Sequence, residues 1–388
     1  MEDLKEFIFE NKPTESCHAS TVLPLDDGRV VAAWFAGTKE SADDVDILTS
    51  VRSESGWSEP VRVSADRNIP HWNPVLFRRA DGKIMLFFKV GKKIPMWKTY
   101  FSLSDNGVDW SEPAELVPGD ISGGRGPVKN KPIRLRSGRV IAPASDERNT
   151  LWVCFVDISD DDCRTWKRMR TVPTKSLRGF YVPMIQPTLW QSEDGNVHML
   201  TRTSRGRIYR SDSSDEGETW CRAYRTKMPN NNSGIDLVLA GNGKIYLVCN
   251  PVKKNWGGRS PLDLLVSEDG GETFNLLMRL EDREGGEFSY PAITERDGVL
   301  HITYTYDREY IAYRQKKDII KPRSFYQKLR GLYFCLILLS GSCLSFARAG
   351  GDALFRAWSA RYRRACRPRG ACRDSRQQRT ERGSSCAG

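Results

Sequence analysis

Histidines are scarce in the chain, which has four, and its ten cysteines include no Cys-x-x-Cys pair. Five cysteines fall in residues 1–315, an odd number at wide spacing, so neither a zinc site nor a disulfide framework is indicated. The N-terminal segment MEDLKEFIFENKP lacks the long apolar run of a secretory signal. We therefore expect reduced cysteines, a cytoplasmic location, no metal site and no cofactor.

Residues 1–315 also lack the basic surplus that the net charge of +11 suggests. Residues 316–388 carry 17 Lys and Arg against 4 Asp and Glu, which is +13 and leaves about −2 for the remainder. The body of the chain thus gives no electrostatic reason to bind nucleic acid. In the tail, the apolar segment Gly331–Ala347 is short for a bilayer and is diluted by serine and glycine. We predict a basic, low-order tail outside the main fold, with a membrane anchor or a nucleic-acid-binding arm as the less favoured alternatives.

A short turn with glycine recurs six times, each time between two apolar runs. The turns are Asp27-Gly28, Asp81-Gly82, Ser137-Gly138, Asp194-Gly195, Asn242-Gly243 and Asp297-Gly298. Asp-Gly and Asn-Gly supply the positive φ that tight β-hairpins need. A polar string that ends in an aromatic residue follows each of the first five turns, as in SDNGVDW, SDDDCRTW and SSDEGETW. Each unit therefore contains a strand, a turn, two further strands, a polar turn with its aromatic residue, and a fourth short strand.

Six units of four short strands predict an all-β, six-bladed β-propeller over residues 1–315. The sixth unit, YTYDREYIAYRQ, lacks the polar marker and a fourth strand. We expect the N-terminal strand KEFIFE to supply that strand and close the ring. Each polar turn is interpreted as structural, with its aromatic residue anchored in the gap between neighbouring sheets.

In a propeller, the starts of the inner strands and the ends of the second strands face one funnel. This phasing brings the following residues to the funnel: His18, Asp43, Asp44, His71, Asn73, Lys89, Lys129, Lys131, Arg148, Gln186, Arg202, Arg205, Ser233, Asp236, Asn250, Arg259, Glu287, Tyr290, Tyr306 and Arg308. Several Arg and Lys that converge on one pocket favour an anionic ligand such as a carboxylate or sulfate. His18 and His71 are candidates for proton transfer, with a purely structural role as the equal alternative.

The strings SSDEGETW and SEDGGETF resemble the Asp-box (BNR) repeat of the sialidase-like superfamily, and the resemblance covers about residues 5–315. It implies an enzyme with an arginine triad for the substrate carboxylate, a Tyr nucleophile assisted by Glu, and an Asp acid/base. By position, Arg202 and Arg259 correspond to the second and third arginines, and Tyr290 to the nucleophile. Asp43 or Asp44 lies where the catalytic Asp is found.

The chain departs from the family pattern at two positions. His18 stands in place of the first arginine, and Gln186 stands where the family has Glu. Gln186 cannot accept a proton from Tyr290, and a neutral His18 is a weaker partner for a carboxylate than arginine. The phasing of the strands and the resemblance together predict the following substrate-binding residues: Arg202, Arg259, Gln186, Lys131, Asn73, His71 and Arg308.

Three functions remain open. The first is a glycoside hydrolase, related to exo-sialidases, that releases a terminal acidic sugar from a glycan, with Asp43 or Asp44 as acid and Tyr290 or a water as nucleophile. The second is a lyase for uronate-containing glycans, in which His18 or His71 and Tyr290 are base and acid. The third is a propeller that binds an acidic oligosaccharide without catalysis. We favour the hydrolase, closely followed by the lyase.

Overall fold

Antiparallel β-strands make up almost all of the regular structure in the computed structural model, which describes residues 3–64, 68–148, 151–174 and 179–317. Within these ranges there are 25 strands, one 3₁₀ turn at Ile94–Met96 and no α-helix. No helix of the described residues is both long and apolar enough to cross a membrane. Lys316 and Lys317, the first residues of the predicted tail, belong to the last described strand, and the rest of the tail, with its apolar segment, lies outside the described residues.

The strands form six antiparallel sheets, one for each sequence repeat. The first strand of the chain, β1 (Leu4–Phe7), belongs to the last sheet, and the other strands follow the chain from blade 1 to blade 6. Blade 1 contains β2 (Ser16–Pro24), β3 (Val30–Gly37), β4 (Asp46–Ser53), β5 (Gly56–Trp57) and β6 (Val61–Val63). Blade 2 contains β7 (His71–Arg78), β8 (Ile84–Val90), β9 (Lys98–Ser104) and β10 (Ala114–Glu115). Blade 3 contains β11 (Ile133–Arg134), β12 (Val140–Arg148), β13 (Leu151–Ser159) and β14 (Lys167–Arg168).

The second half of the chain repeats this order. Blade 4 contains β15 (Met184–Gln191), β16 (Val197–Thr203), β17 (Arg207–Ser213) and β18 (Tyr224–Pro229). Blade 5 contains β19 (Asp236–Leu239), β20 (Ile245–Cys249), β21 (Leu262–Ser267) and β22 (Asn275–Glu281). Blade 6 contains β23 (Phe288–Arg296), β24 (Val299–Tyr306), β25 (Tyr310–Lys317) and, as its outer strand, β1. The all-β, six-bladed propeller predicted from the repeats is thus confirmed.

The N-terminal strand closes the ring, as the sequence predicts. It pairs antiparallel with β25, with Leu4 opposite Gln315 and Phe7 opposite Ala312. The next residues, Ile8 and Phe9, are buried in the apolar layer between blades 6 and 1. The first and last parts of the propeller are therefore held together by a backbone ladder and a shared core.

Six separate apolar clusters fill the gaps between adjacent blades, one in each gap. The strand β3 shows how one sequence serves two gaps. Val31 and Phe35 pack toward blade 2, whereas Val30 and Trp34 pack toward blade 6. Successive side chains of a strand point to opposite faces, so a nearly continuous apolar run is required when both faces are buried.

The polar turns are closed by their own side chains. In blade 5, the Asp269 carboxylate accepts hydrogen bonds from the amides of Glu272 and Thr273 and from the hydroxyls of Ser267 and Thr273, the last at 2.6 Å. The hydrogen bond from the Thr273 hydroxyl lowers the pKa of Asp269 to about 2. In blade 4, the terminal aromatic Trp220 is buried between blades 3 and 4. The predicted structural role of these turns is confirmed.

Candidate functional site

The inner strands of four blades carry a β-bulge at equivalent points near the funnel. The register shifts lie between His18 and Thr21, Trp72 and Val75, Ile185 and Thr188, and Ser289 and Ala292. Each bulge contains one residue with positive φ: Ala19 (53°), Asn73 (44°), Gln186 (52°) or Tyr290 (51°). This backbone conformation is costly for a residue with a side chain, and bulges often redirect side chains next to functional sites. Three of these four residues, Asn73, Gln186 and Tyr290, line one cavity.

The cavity has a volume of about 280 Å³ and lies at the funnel end of the inner strands. Its polar lining consists of Glu40, Asn73, Glu147, Gln186, Arg202, Arg259, Tyr290 and Arg308. Its apolar lining consists of Trp72, Ile94, Trp97, Trp152, Ile185 and Trp256. A larger groove of about 680 Å³ runs beside the N-terminal strand, but neither Arg nor Lys lines it. The smaller cavity is the candidate site because cationic, acidic and aromatic groups meet there.

Arg202 is the most deeply buried cation of the cavity, with 2% of its surface exposed. Its Nη1 group donates to Gln186 Oε1 at 2.9 Å and to the Tyr290 hydroxyl at 2.8 Å, and its Nε donates to Asn232 Oδ1 at 3.1 Å. All three of these hydrogen bonds to described residues go to neutral groups. A buried cation held in this way is poorly compensated and attracts an anion.

Arg259 and Arg308 are held together by one carboxylate. Arg259 Nη1 and Arg308 Nε both donate to Glu287 Oε1, each at 2.7 Å. Arg308 also forms an ion pair with Glu40. The guanidinium carbons of Arg259 and Arg202 lie 5.4 and 5.7 Å from the centre of the Tyr290 ring. Two arginines therefore flank the tyrosine that the family resemblance assigns as nucleophile, and Arg308 lines the same cavity.

Glu147 adds a carboxyl group to the wall of the cavity that blade 3 forms. It lies one residue before the end of β12 and accepts a hydrogen bond of 3.0 Å from the Ser145 hydroxyl. Burial raises the pKa of the Glu147 carboxyl, although the Arg202 charge opposes the shift. Its two neighbours in sequence are engaged with each other, since Arg148 Nε donates to Asp146 Oδ1 at 2.9 Å.

The two candidate histidines are buried and do not line the cavity. The His18 ring lies beneath Tyr290, with 4.2 Å between ring centres, and its two nitrogens have no hydrogen-bond partner among the described residues. Burial, followed by the charge of Arg308, holds the pKa of His18 well below its ordinary value. His71 is the first residue of β7, where its Nδ1 is 3.2 Å from the carbonyl oxygen of Val45. The His18 ring thus packs against Tyr290, whereas the His71 ring packs against Phe88, with 5.6 Å between ring centres.

The two candidate aspartates lie at the rim rather than in the cavity. The Asp43 side chain is 58% exposed and accepts a hydrogen bond of 2.8 Å from Lys92 Nζ. Asp44 accepts hydrogen bonds from the amide and hydroxyl of Thr38. The hydrogen bond from the Thr38 hydroxyl lowers the pKa of Asp44. Neither aspartate is among the lining residues, because the turn that carries them leaves β3 toward solvent.

Lys131 also lies outside this cavity. Its Nζ donates to Asp236 Oδ2 at 2.9 Å and to the Leu237 carbonyl at 2.8 Å. Asp236 in turn accepts hydrogen bonds from the Thr188 hydroxyl and the Ile293 amide. This network joins four blades, so the lysine that we expected at the substrate has a structural position.

Sequence reasoning missed several lining residues. They are Glu40, Trp72, Ile94, Trp97, Glu147, Trp152, Ile185 and Trp256. The sequence contains a signal for the bulges that the phasing of the strands did not use. Asn73, Gln186 and Tyr290 each precede a proline. Proline cannot donate to a ladder and is typical of bulges within sheets. Among the described residues, no group of three His, Cys, Asp or Glu side chains is arranged to hold a metal ion.

Comparisons with known proteins agree on the fold. No curated protein sequence matches the chain. A solved protein of unknown function from Dyadobacter fermentans superposes with a TM-score of 0.67 at 14% identity, over 81% of this chain and 98% of that one. The Hadza microbial sialidase Hz136 superposes with a TM-score of 0.64 at 17% identity, over 78% of this chain and 66% of that one. The NanB sialidase of Streptococcus pneumoniae superposes with a TM-score of 0.62 at 15% identity, over 81% of this chain and 70% of that one.

Identities this low establish a shared fold and leave the chemistry open. The sequence itself gives a firmer assignment. The family model of the BNR repeat-like domain matches the sequence over residues 28–302, which is more than half of the chain. The protein therefore belongs to the BNR repeat-like domain family and has a sialidase-like, six-bladed β-propeller fold.

Proposed function

We propose that this propeller is a glycoside hydrolase that releases a terminal acidic sugar from a glycan. One observation carries the proposal: among the described residues, the hydrogen-bond partners of the buried Arg202 guanidinium are neutral, and one of them is the Tyr290 hydroxyl at 2.8 Å. Arginine binds carboxylates in a bidentate manner, and a partly dry cavity strengthens that interaction. An acidic sugar bound there has its reacting centre next to a nucleophilic oxygen.

The other lining residues have roles that follow from their positions. Arg259 and Arg308, fixed by Glu287, supply the second and third guanidinium groups for the sugar carboxylate. Arg308 thus provides the cation that the family pattern takes from the position of His18. The apolar faces of Trp72 and Trp97, whose rings lie 5.2 Å apart, form a wall suited to a sugar ring.

Tyr290 is the nucleophile in this proposal. Its hydroxyl contacts a guanidinium instead of a carboxylate, so Arg202 stabilises negative charge on the oxygen as the proton leaves. Gln186 Oε1 accepts a hydrogen bond from the same Arg202 nitrogen at 2.9 Å and therefore fixes the guanidinium. The Gln186 amide orients the cation and takes no part in proton transfer.

The same contact favours a second candidate, a lyase for uronate-containing glycans. If Arg202 holds a uronate carboxylate, the Tyr290 oxygen lies close to the proton on the adjacent carbon. The guanidinium is then placed to stabilise the enolate-like charge that forms when this proton is removed. This candidate needs no carboxylate beside Tyr290, which agrees with the glutamine at position 186.

One assay separates the candidates. The purified chain is incubated with sialyllactose and with glucuronate-capped oligosaccharides, and both free acidic sugar and the absorbance of a new unsaturated uronate are followed. Free sugar without new absorbance supports the hydrolase. New absorbance contradicts the hydrolase and supports the lyase. Binding without either product contradicts both and leaves a glycan-binding propeller.

A further inference from the structure

We propose that Glu147 is the acid that protonates the leaving-group oxygen during glycoside cleavage. The inference rests on the proposed hydrolase function and deepens it. The family resemblance assigns this role to Asp43 or Asp44, whereas the geometry points to a carboxyl group on a different blade. Glu147 lines the candidate cavity, and both aspartates lie outside it.

The first argument is position. Glu147 comes from blade 3 and Tyr290 from blade 6, and these blades are opposite each other in a closed ring of six. Both side chains line the same cavity of about 280 Å³. Glycosidases place their two reacting groups on either side of the scissile bond, with the acid next to the leaving oxygen. A sugar whose reacting carbon faces Tyr290 directs its leaving group toward the Glu147 wall.

The second argument is the surroundings of the carboxyl group. Among the described residues, the neutral Ser145 hydroxyl donates a hydrogen bond of 3.0 Å to Glu147 Oε1. The charges of Arg202 and Lys89 act to lower its pKa, and the charge of Asp146 acts to raise it. Lys89 is itself fully buried and donates to the Thr99 hydroxyl at 2.8 Å, and its pKa is lowered to about 7, first by burial.

Asp146 is likewise engaged elsewhere, since it pairs with Arg148 and Arg168. Burial therefore outweighs the attraction of the two cations and raises the pKa of Glu147. A carboxyl group with a raised pKa keeps its proton to a higher pH than an ordinary glutamate, which suits a general acid. By contrast, the Thr38 hydroxyl lowers the pKa of Asp44, which keeps that carboxylate ionised and unable to donate.

The proposed step conserves atoms and charge. Tyr290 first loses its proton to solvent, and its oxygen then forms a bond to the anomeric carbon while the glycosidic C–O bond breaks. The electron pair of that bond goes to the leaving oxygen, which takes the proton of Glu147 and departs as an alcohol. Water then attacks the anomeric carbon, gives one proton back to the Glu147 carboxylate and releases the Tyr290 oxygen with its electron pair.

The test compares two substrates that share one acidic sugar. Sialyllactose has a poor leaving group that needs protonation, whereas nitrophenyl sialoside has a good leaving group that does not. We expect Glu147→Gln to lower kcat on sialyllactose by about 10²- to 10⁴-fold and to have a much smaller effect on the nitrophenyl substrate. The variant is also expected to lose the fall in sialyllactose activity that deprotonation of Glu147 causes as the pH rises.

Glu54→Gln, which changes an exposed glutamate in a turn of blade 1, is the matched control and is expected to behave like the wild type on both substrates. Retained nitrophenyl activity shows that Glu147→Gln folds. Equal losses on both substrates, or no loss, overturn the role of Glu147 alone. So does a loss specific to sialyllactose in Asp43→Asn or Asp44→Asn instead. A wild-type protein inactive on both substrates contradicts the hydrolase proposal, and the role of Glu147 fails with it.

Discussion

Arg202 and Tyr290 are 88 positions apart in sequence, on blades 4 and 6, and their side chains are joined by a hydrogen bond of 2.8 Å. Blade 5 separates their sheets at the rim, so the two side chains meet only where the inner ends of the blades converge. Tyr290 reaches this point because its bulge gives it a φ of 51°. The contact joins a buried guanidinium to a hydroxyl group, and both line the same cavity.

Removing the tyrosine hydroxyl tests its chemical role. In Tyr290→Phe the ring remains and still packs over His18, whose ring centre is 4.2 Å away. We expect turnover to be abolished while the Tm changes by only a few degrees, because one hydrogen bond contributes about 1 kcal/mol. Product release and thermal unfolding are measured on the same preparation. Full activity in the variant removes Tyr290 from the mechanism.

The closure of the ring is tested at Ile8. This side chain is 1% exposed and packs between blades 6 and 1. Ile8→Ala is expected to lower the free energy of unfolding by about 2–5 kcal/mol, because it leaves a cavity in the layer that joins the two ends of the propeller. Glu10→Ala, at a nearby exposed position, is the control. Denaturation midpoints that coincide for the two variants would show that the N-terminal segment does not close the fold.

The polar turns make stability depend on pH. The folded-state pKa of Asp269 is about 2, below its ordinary value, so the carboxylate stabilises the fold above about pH 4 and loses that effect as the pH falls toward 2. Asp269→Ala is therefore expected to lower the Tm near neutral pH, with a difference from the wild type that shrinks below pH 4.

Asp282→Ala, at an exposed position of the same blade, serves as the control for the pH experiment. It is expected to leave the Tm unchanged at every pH. A Tm difference for Asp269→Ala that stays constant from pH 7 to pH 2 would show that the ionised carboxylate does not hold the turn.

The fold could be predicted from the repeat because each blade contains the same short sequence signals. Turn glycines, apolar runs and polar strings act over a few residues, and their spacing indicated six sheets. The N-terminal strand was predictable for a related reason, because the sixth unit lacked a partner for its outer edge. Six of the residues that the phasing of the strands placed at the funnel line the cavity: Arg202, Arg259, Arg308, Asn73, Gln186 and Tyr290.

The remaining details of the site depend on individual side-chain directions that phasing does not resolve. Arg202 lies within a second strand, whereas Asp43 and Asp44 come after the end of one, in a turn that bends outward and leaves the Asp43 side chain 58% exposed. Lys131 lies near an inner-strand start, yet Asp236 draws it into a network between blades at 2.9 Å. Glu147 was missed because the pleat turns it inward between two neighbours that are paired with each other.

The most direct test of the carboxylate site compares one ligand in two forms. Calorimetry measures the binding of an unsaturated sialic acid and of its methyl ester, which is similar in shape but uncharged, to the wild type, to Arg202→Lys and to the exposed control Arg222→Lys. We predict that the wild type and the control bind the acid at least about 100-fold more tightly than the ester, and that Arg202→Lys loses most of this preference. Equal affinity of the wild type for acid and ester would contradict the central claim that Arg202 and its two partner arginines hold a substrate carboxylate.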